Sequence, residues 1–307
     1  MQLSTPIAVN PSHIRINHQT PLMLIGSCFS DHIGLKLQQS GFDVLTNPFG
    51  TLYNPLSIAL ALNHSLDQEE IDSSWLIQHD GLWHSWMHHT RFSHPDPQIC
   101  LNQCNQTIHT AYQQLQKRPV VLITFGTAFT YRLAIGSHQG RIVANCHKLP
   151  PQHFCRTRLT IPSIVETWTP LLNHLYQLGC SVIFTVSPIR HIADGLHQNQ
   201  LSKAILLLAI DSLISVCANN CEKGSSSITQ TNNTSFEYFP AYEILIDQLR
   251  DYRFYARDMC HPSDLAVDII WQQFQDTYMS PATQQRCRDE EKAFRRTQHR
   301  PINTSTI

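Results

Sequence analysis

Asp258, Met259, Cys260 and His261 stand near the end of the chain and run into Pro262 and Ser263. An aspartate three residues before a histidine can orient the imidazole and offset its charge. The histidine can then take a proton from a nucleophile supplied elsewhere. Two candidate nucleophiles stand side by side near the other end, in Gly26-Ser27-Cys28. They follow the apolar run Leu22-Met23-Leu24-Ile25 and precede a segment, Asp31 to Gln39, that reads as helix. A side chain at such a strand–turn–helix junction meets unpaired backbone N–H groups and the positive end of the helix dipole. A cysteine there can have its pKa lowered and become a nucleophile. The plainer reading is that Ser27 caps the helix and Cys28 packs as a small apolar residue. The distant Asp258/His261 pair, set before a terminal amphipathic helix, favours the chemical reading.

These residues need a scaffold. Leu22–Ile25, Val120–Phe125 and Ser181–Val186 are continuous apolar runs, suited to strands buried on both faces of a parallel sheet. Helical spacing predicts helices over 98–117, 161–178, 199–218 and from Ser263 to about Tyr278. Pro55 opens another, to about Asn63. This alternation predicts an α/β fold, a three-layer α/β/α sandwich with a mostly parallel central sheet. Ligands bind such sheets at the carboxyl ends of strands. Polar or glycine-containing segments fall at those ends: Gly26-Ser27-Cys28, Gly50, Gly126-Thr127 and Ser187-Pro188.

The chain divides into a loosely attached arm over 1–20, one domain over 21–280 and a polar tail over 281–307. Residues 65–97 break the α/β rhythm and read as an inserted hairpin around Asp80-Gly81. A second hairpin joins Tyr131–Ile135 to Arg141–Ala144, and a proline-broken loop follows it. Residues 222–235 are mostly serine, threonine and asparagine and read as a surface loop.

Composition narrows the function classes. Of 307 residues 15% are charged, and Lys+Arg 22 against Asp+Glu 23 nearly cancel. Nucleic-acid binding driven by phosphate contacts needs a basic field that this chain lacks. No apolar run approaches the roughly 18 residues of a membrane span, and the N-terminal residues carry no basic region of a secretory signal. The expectation is a cytoplasmic protein with no nucleic-acid or membrane partner. The 10 cysteines are scattered without a CxxC pair and are read mainly as core residues.

The motifs together resemble the GSCFA-domain family, within the SGNH (GDSL-like) hydrolase superfamily. The resemblance spans about residues 20 to 280. It is carried by Gly26-Ser27-Cys28-Phe29-Ser30, Asn47-Pro48-Phe49-Gly50-Thr51, Asn145-Cys146-His147-Lys148, Ser187-Pro188-Ile189-Arg190-His191 and the terminal DxxHP. It implies an SGNH-hydrolase-like fold with an ester-hydrolase or acyltransferase site. The superfamily's Gly-Asp-Ser block, aligned without a gap, puts the nucleophile on Cys28; a slip of one residue puts it on Ser27. Its Gly-x-Asn-Asp block reads Gly126-Thr127-Ala128-Phe129 here, so the oxyanion-hole asparagine is missing.

The candidate site therefore has Cys28 or Ser27 as nucleophile, His261 as base and Asp258 as its orienting acid. The backbone N–H groups of Cys28 and Gly50, with the Asn145 side chain, are candidate oxyanion donors. His88 and His89, Arg190 and His191, and Lys148 are candidate substrate contacts. His84 and His88 are four apart, but on a segment read as extended, where that spacing makes no metal face. No metal or cofactor is expected. The substrate expected is a small-molecule or carbohydrate ester, or a thioester; the oligomeric state is left open. The rival expectation is a catalytically weak or inactive binding module on the same fold.

Overall fold

The structure, a computed structural model, describes residues 5–9, 12–223 and 235–298. The chain order is β1 (Leu22–Gly26), α1 (Cys28–Gln39), β2 (Val44–Thr46), α2 (Pro55–Leu66), β3 (Leu76–His79), β4 (Leu82–Ser85), α3 (Pro97–Gln116), β5 (Val120–Phe125), β6 (Phe129–Leu133), β7 (Ile142–Val143) and β8 (Phe154–Arg158). It continues through α4 (Ile161–Leu178), β9 (Ser181–Val186), α5 (Leu196–Lys223), β10 (Phe236–Tyr238), a short α6 (Ala241–Glu243), α7 (Asp264–Tyr278) and α8 (Pro281–Gln298).

Five strands form one parallel sheet in the order β10-β9-β5-β1-β2. The inner strands β1, β5 and β9 are largely apolar on both sides because helices cover both faces, and the two-residue side-chain period sorts them. Met23, Ile25, Val121, Ile123, Val182 and Phe184 pack under α2, α3, α4 and α5. Leu22, Leu24, Val120, Leu122 and Ile183 pack under α1 and α7. The result is the three-layer α/β/α sandwich. From β1 the chain moves outward to β2, then returns to build β5 on the opposite side. This reversal opens a crevice between the ends of β1 and β5, where such sheets bind ligands.

Two small antiparallel sheets stand apart from the main one. The first is the β3–β4 hairpin, turned by Asp80 (φ +49°) and Gly81 (φ +73°) as the Asp-Gly pair predicts. The second has the order β7-β6-β8. Its third strand, β8, occupies part of the stretch read above as a proline-broken loop. Cys155 to Arg158 are exposed, so the strand lacks the alternating apolar signature.

The arm is better anchored than its composition suggests. Ile14 and Ile16 are buried in the α1/α7 core, and Ile16 N–H donates to the Tyr278 carbonyl (2.9 Å). The polar tail begins as α8, held by buried Cys287 and by Ser40, whose hydroxyl donates to Glu291 (2.9 Å). The reading of 222–235 as a loop falls mostly outside the described residues. Within α5, Leu196–Cys217 is long and apolar enough to cross a membrane by length and composition. In this fold it packs against α4 and β9.

Candidate active site

The nucleophile turn is built by one glycine and one cap. At Gly26 φ is +146°, and an added Cβ would lie 2.2 Å from the Thr124 carbonyl oxygen, so only glycine lets β1 end this close to β5. The Gly26 N–H donates to Asn47 Oδ1 (2.9 Å), which ties the turn to the loop after β2. Ser27 is the N-cap of α1: its backbone is extended and its Oγ accepts from the Phe29 N–H (3.3 Å). That side chain is almost fully buried and committed to the cap. Cys28 is the first helical residue, so α1 starts three residues before the Asp31 start read from the pattern. Of the two adjacent candidates, Cys28 is the one that reaches the histidine: Cys28 Sγ lies 3.7 Å from His261 Nε2.

His261 is held from behind. Its Nδ1 lies 2.5 Å from Asp258 Oδ2, while Asp258 Oδ1 accepts from the backbone N–H groups of Cys260 (2.9 Å) and His261 (3.0 Å). Those two backbone bonds, then the imidazole itself, hold the Asp258 carboxyl down to about 2. It is therefore ionised throughout the neutral range and suited to keep the proton of the neutral imidazole on Nδ1, leaving Nε2 to accept from Cys28. Arg190 fixes the loop that carries the pair. Its N–H donates to the Cys260 carbonyl (3.0 Å) and its Nη1 to the Met259 carbonyl (3.0 Å). Met259 adopts the left-handed conformation (φ +57°) that turns the chain between acid and base.

The thiol differs from the sequence expectation. A helix N-terminus should lower its pKa, and the N–H groups of Cys28 and Phe29, with Lys203, do act that way. Burial, reinforced by the Asp31 carboxylate, outweighs them and pushes the thiol up. Cys28 thus rests as a protonated thiol that needs a base. His261 Nε2, 3.7 Å from Sγ, is placed to take its proton.

Cys28 and His261 both line a cleft of about 420 Å³. Tyr53, Phe129 and Tyr131 supply aromatic walls and Arg156 and Arg190 supply cations. Arg156 reaches in from β8, stacks on the Phe129 ring (3.7 Å to its centroid) and pairs with Asp194 (2.5 Å). His191 also lines the cleft, its ring edge-on to Tyr53 at 6.2 Å. Burial, and then Lys203, lower its pKa to about 4.

Five sequence candidates lie elsewhere. Gly50 N–H donates to the Asn47 carbonyl (2.8 Å), so it is not aimed at an oxyanion. At Gly50 φ is +80° and a Cβ would meet His89 Cβ at 2.1 Å, which makes it a packing glycine. Asn145 turns its own loop, with Oδ1 accepting from the His147 N–H (2.9 Å) and Nδ2 donating to Thr90 Oγ1 (3.4 Å). His88 is fully buried between the hydroxyls of Ser85 (2.9 Å) and Thr107 (3.0 Å); burial lowers its pKa to about 3. His89 packs on Gly50, and its Nδ1 accepts from the Arg91 N–H (3.2 Å). Lys148 is exposed at a left-handed turn (φ +60°). His84 and His88 form separate hydrogen bonds, and among the described residues no group of three or more His, Cys, Asp or Glu converges as a metal site.

Sequence reading missed Asn54, which lines the cleft beside Tyr53. Its Oδ1 caps α2 by accepting from the Ser57 N–H (2.9 Å), and its Nδ2 donates to Ser57 Oγ (2.9 Å). An amide carries two N–H groups, so a second donor remains on Nδ2. The signal was present in Asn54-Pro55, a cap ahead of a proline-opened helix, which fixes an amide at a strand-end loop. Arg156 was missed with its strand, and Lys203 lay inside an apolar helix pattern.

A search among curated proteins found no significant match. The GSCFA family matches residues 21–274, a span that holds the nucleophile turn, the Asp258/His261 loop and every strand of the main sheet. The chain belongs to the GSCFA family.

Proposed function

We propose that the protein is an SGNH-like ester or thioester hydrolase, or an acyltransferase, with Cys28 as nucleophile, His261 as general base and acid, and Asp258 as the group that orients His261. The observation that carries this reading is the line Cys28 Sγ–His261 Nε2 (3.7 Å) and His261 Nδ1–Asp258 Oδ2 (2.5 Å) beside an open cleft.

These contacts support a two-step acyl transfer. Cys28 Sγ attacks the acyl carbonyl carbon as its proton passes to His261 Nε2. The carbonyl oxygen takes up the negative charge. Collapse breaks the bond to the leaving alcohol or thiol, which receives the proton from His261, and leaves an acyl thioester on Cys28. Water, or an acceptor hydroxyl, then attacks the thioester carbonyl with His261 again as base; the C–S bond breaks, the acid or new ester leaves, and the Cys28 thiolate takes the proton back from His261. Cys28 N–H, at the first turn of α1, has no carbonyl partner within its helix and is one oxyanion donor. The second N–H of Asn54 is the other and takes the place of the missing asparagine after β5. The turn after β5 is spent internally: Gly126 and Thr127 N–H both donate to the Tyr53 carbonyl (2.8 and 2.9 Å).

Aromatic faces beside two arginines suit a polyhydroxylated substrate, so an O-acylated carbohydrate is the substrate class first tested, supported also by superfamily analogy. The experiment is turnover on p-nitrophenyl acetate, acetylated sugars and acyl-CoA thioesters, comparing the wild type with Cys28→Ala and His261→Ala. Activity lost in both variants supports the reading. The raised thiol pKa favours a second reading, a non-hydrolytic module that binds ligand in the same cleft. Saturable binding of an acetylated sugar with no turnover across the panel would favour it.

A further inference from the structure

α5 carries a buried polar face at the end nearest the cleft. Asn199, Ser202 and Lys203 are spaced to share one side of the helix and are 2%, 2% and 1% exposed. Each engages a loop at a strand end. Asn199 Oδ1 accepts from the His191 N–H (2.9 Å), and Ser202 Oγ accepts from the Ala128 N–H (2.7 Å). Lys203 Nζ donates to the carbonyls of Gly126 and Ser187, both at 2.7 Å, and so joins the ends of β5 and β9. Gly126 lies against the nucleophile turn; a Cβ built on it would be 3.4 Å from Ser27 Cβ.

Asn199 and Ser202 are neutral and satisfied by such bonds. An ammonium in the same place is costly unless an anion offsets it. Among the described residues no Asp or Glu forms an ion pair with Lys203. The titratable groups close enough to interact with its charge are Cys28 (whose turn packs on Gly126), His191, and Tyr242, whose ring centroid is 5.6 Å from Nζ. Cys28 in turn is faced by Asp31 on α1, Tyr53 before α2 and His261 on the acid–base loop. Of the groups facing Lys203, Cys28 is the one that must become negative in the acyl-transfer reading, on which this inference rests.

We propose that Lys203 is a positioning residue whose buried ammonium serves as counter-charge for the negative charge that builds on Cys28 Sγ when its proton leaves for His261. Its two carbonyl bonds fix the cleft floor at the same time. Burial lowers the ammonium's pKa to about 7, while the two bonds to carbonyl oxygens favour the charged form.

The test needs no substrate, so it stands or falls apart from turnover. The rate of Cys28 alkylation by iodoacetamide is followed against pH in the wild type, Lys203→Met and Lys203→Arg. Loss of the charge should move the profile up by about one pH unit, a roughly tenfold slower reaction at pH 6.5. The arginine variant should move it back. A folded Lys203→Met protein with the wild-type profile overturns the proposal and leaves Lys203 a structural tie.

If the methionine variant does not fold, the wild type answers by itself. Cys28 is converted either to its neutral carboxamidomethyl or to its anionic carboxymethyl derivative, and the Lys203 ¹³Cε resonance is titrated in each. The anionic adduct should raise the lysine midpoint by about one pH unit over the neutral one. Equal midpoints overturn the proposal.

Discussion

His88 and His261 both have partners on their two ring nitrogens, yet they sit in opposite environments. His88 lies in the aromatic, histidine-rich stretch after β3, sealed between two hydroxyls and fully buried. His261 lies between a carboxylate and a thiol, with 42% of its side chain exposed. Hydroxyls satisfy an imidazole without biasing it toward gaining a proton. A carboxylate on Nδ1 stabilises the imidazolium, and a thiol on Nε2 can supply the proton. Solvent access lets substrate reach the same atoms. In the histidine-rich stretch His88 therefore serves packing, and the isolated DxxH at the cleft is the pair placed for the proposed chemistry.

This contrast can be broken first by substitution. Cys28→Ala and His261→Ala should each lower kcat by about 10⁴-fold or more on whichever ester is turned over. His88→Gln should leave kcat within about twofold once the protein is folded. Steady-state kinetics on purified variants checks both. Asp258→Asn should cost about 10² to 10⁴-fold with a melting temperature near that of the wild type, because the side chain is exposed and an amide oxygen can still accept the two backbone N–H bonds. Since the Asp258 carboxyl is held down to about 2, protonation of this residue should not contribute to an acid limb of activity above about pH 4.

The oxyanion assignment is sharpened by Asn54→Ser. Serine keeps a cap for α2 but removes the amide donor, so kcat should fall by about 10² to 10³-fold with little change in stability. Gly50→Ala is the opposite case. The strained φ and the clash with His89 should destabilise the fold by about 1–3 kcal/mol, read as a lower melting temperature, with any kcat of the folded protein near that of the wild type.

The smallest effect concerns acid stability. His88 has its folded pKa lowered to about 3 from 6.5, so between those values the unfolded chain binds a proton that the native one refuses. Its stabilising contribution is complete above about pH 6.5 and is lost as pH falls toward 3. Urea unfolding of His88→Gln across this window should show a shallower decline than the wild type. An equal slope would mean that other groups set the acid limit.

Much of the scaffold was legible because parallel strands buried on both faces leave unbroken apolar runs: Leu22–Ile25, Val120–Phe125 and Ser181–Val186 all became strands of the main sheet. The Asp258/His261 pair was legible because its geometry is local, three residues on one turn. The choice between Ser27 and Cys28 was not, since it depends on which residue caps α1. Arg156 was hidden because β8 is polar on both sides and flanked by proline. Asn54 and Lys203 were hidden for a common reason. Each sits in a pattern with a sufficient local explanation, a helix cap and an apolar helix, while the second role proposed for it depends on what the fold brings against it. The same holds in reverse for Gly50 and Asn145, read as oxyanion donors, whose N–H groups the fold turns to the Asn47 carbonyl and the Thr90 hydroxyl.

The central claim is that Cys28 carries the acyl group. The most direct measurement is rapid acid quenching of the protein with p-nitrophenyl acetate, followed by peptide mass mapping and treatment with neutral hydroxylamine. The account predicts one acetyl group on the Cys28 peptide, removed by hydroxylamine as a thioester is, absent from Cys28→Ala, and accumulating in step with the burst of nitrophenol. An acetyl group carried by Ser27 as a hydroxylamine-stable ester, or steady turnover in Cys28→Ala, would contradict it.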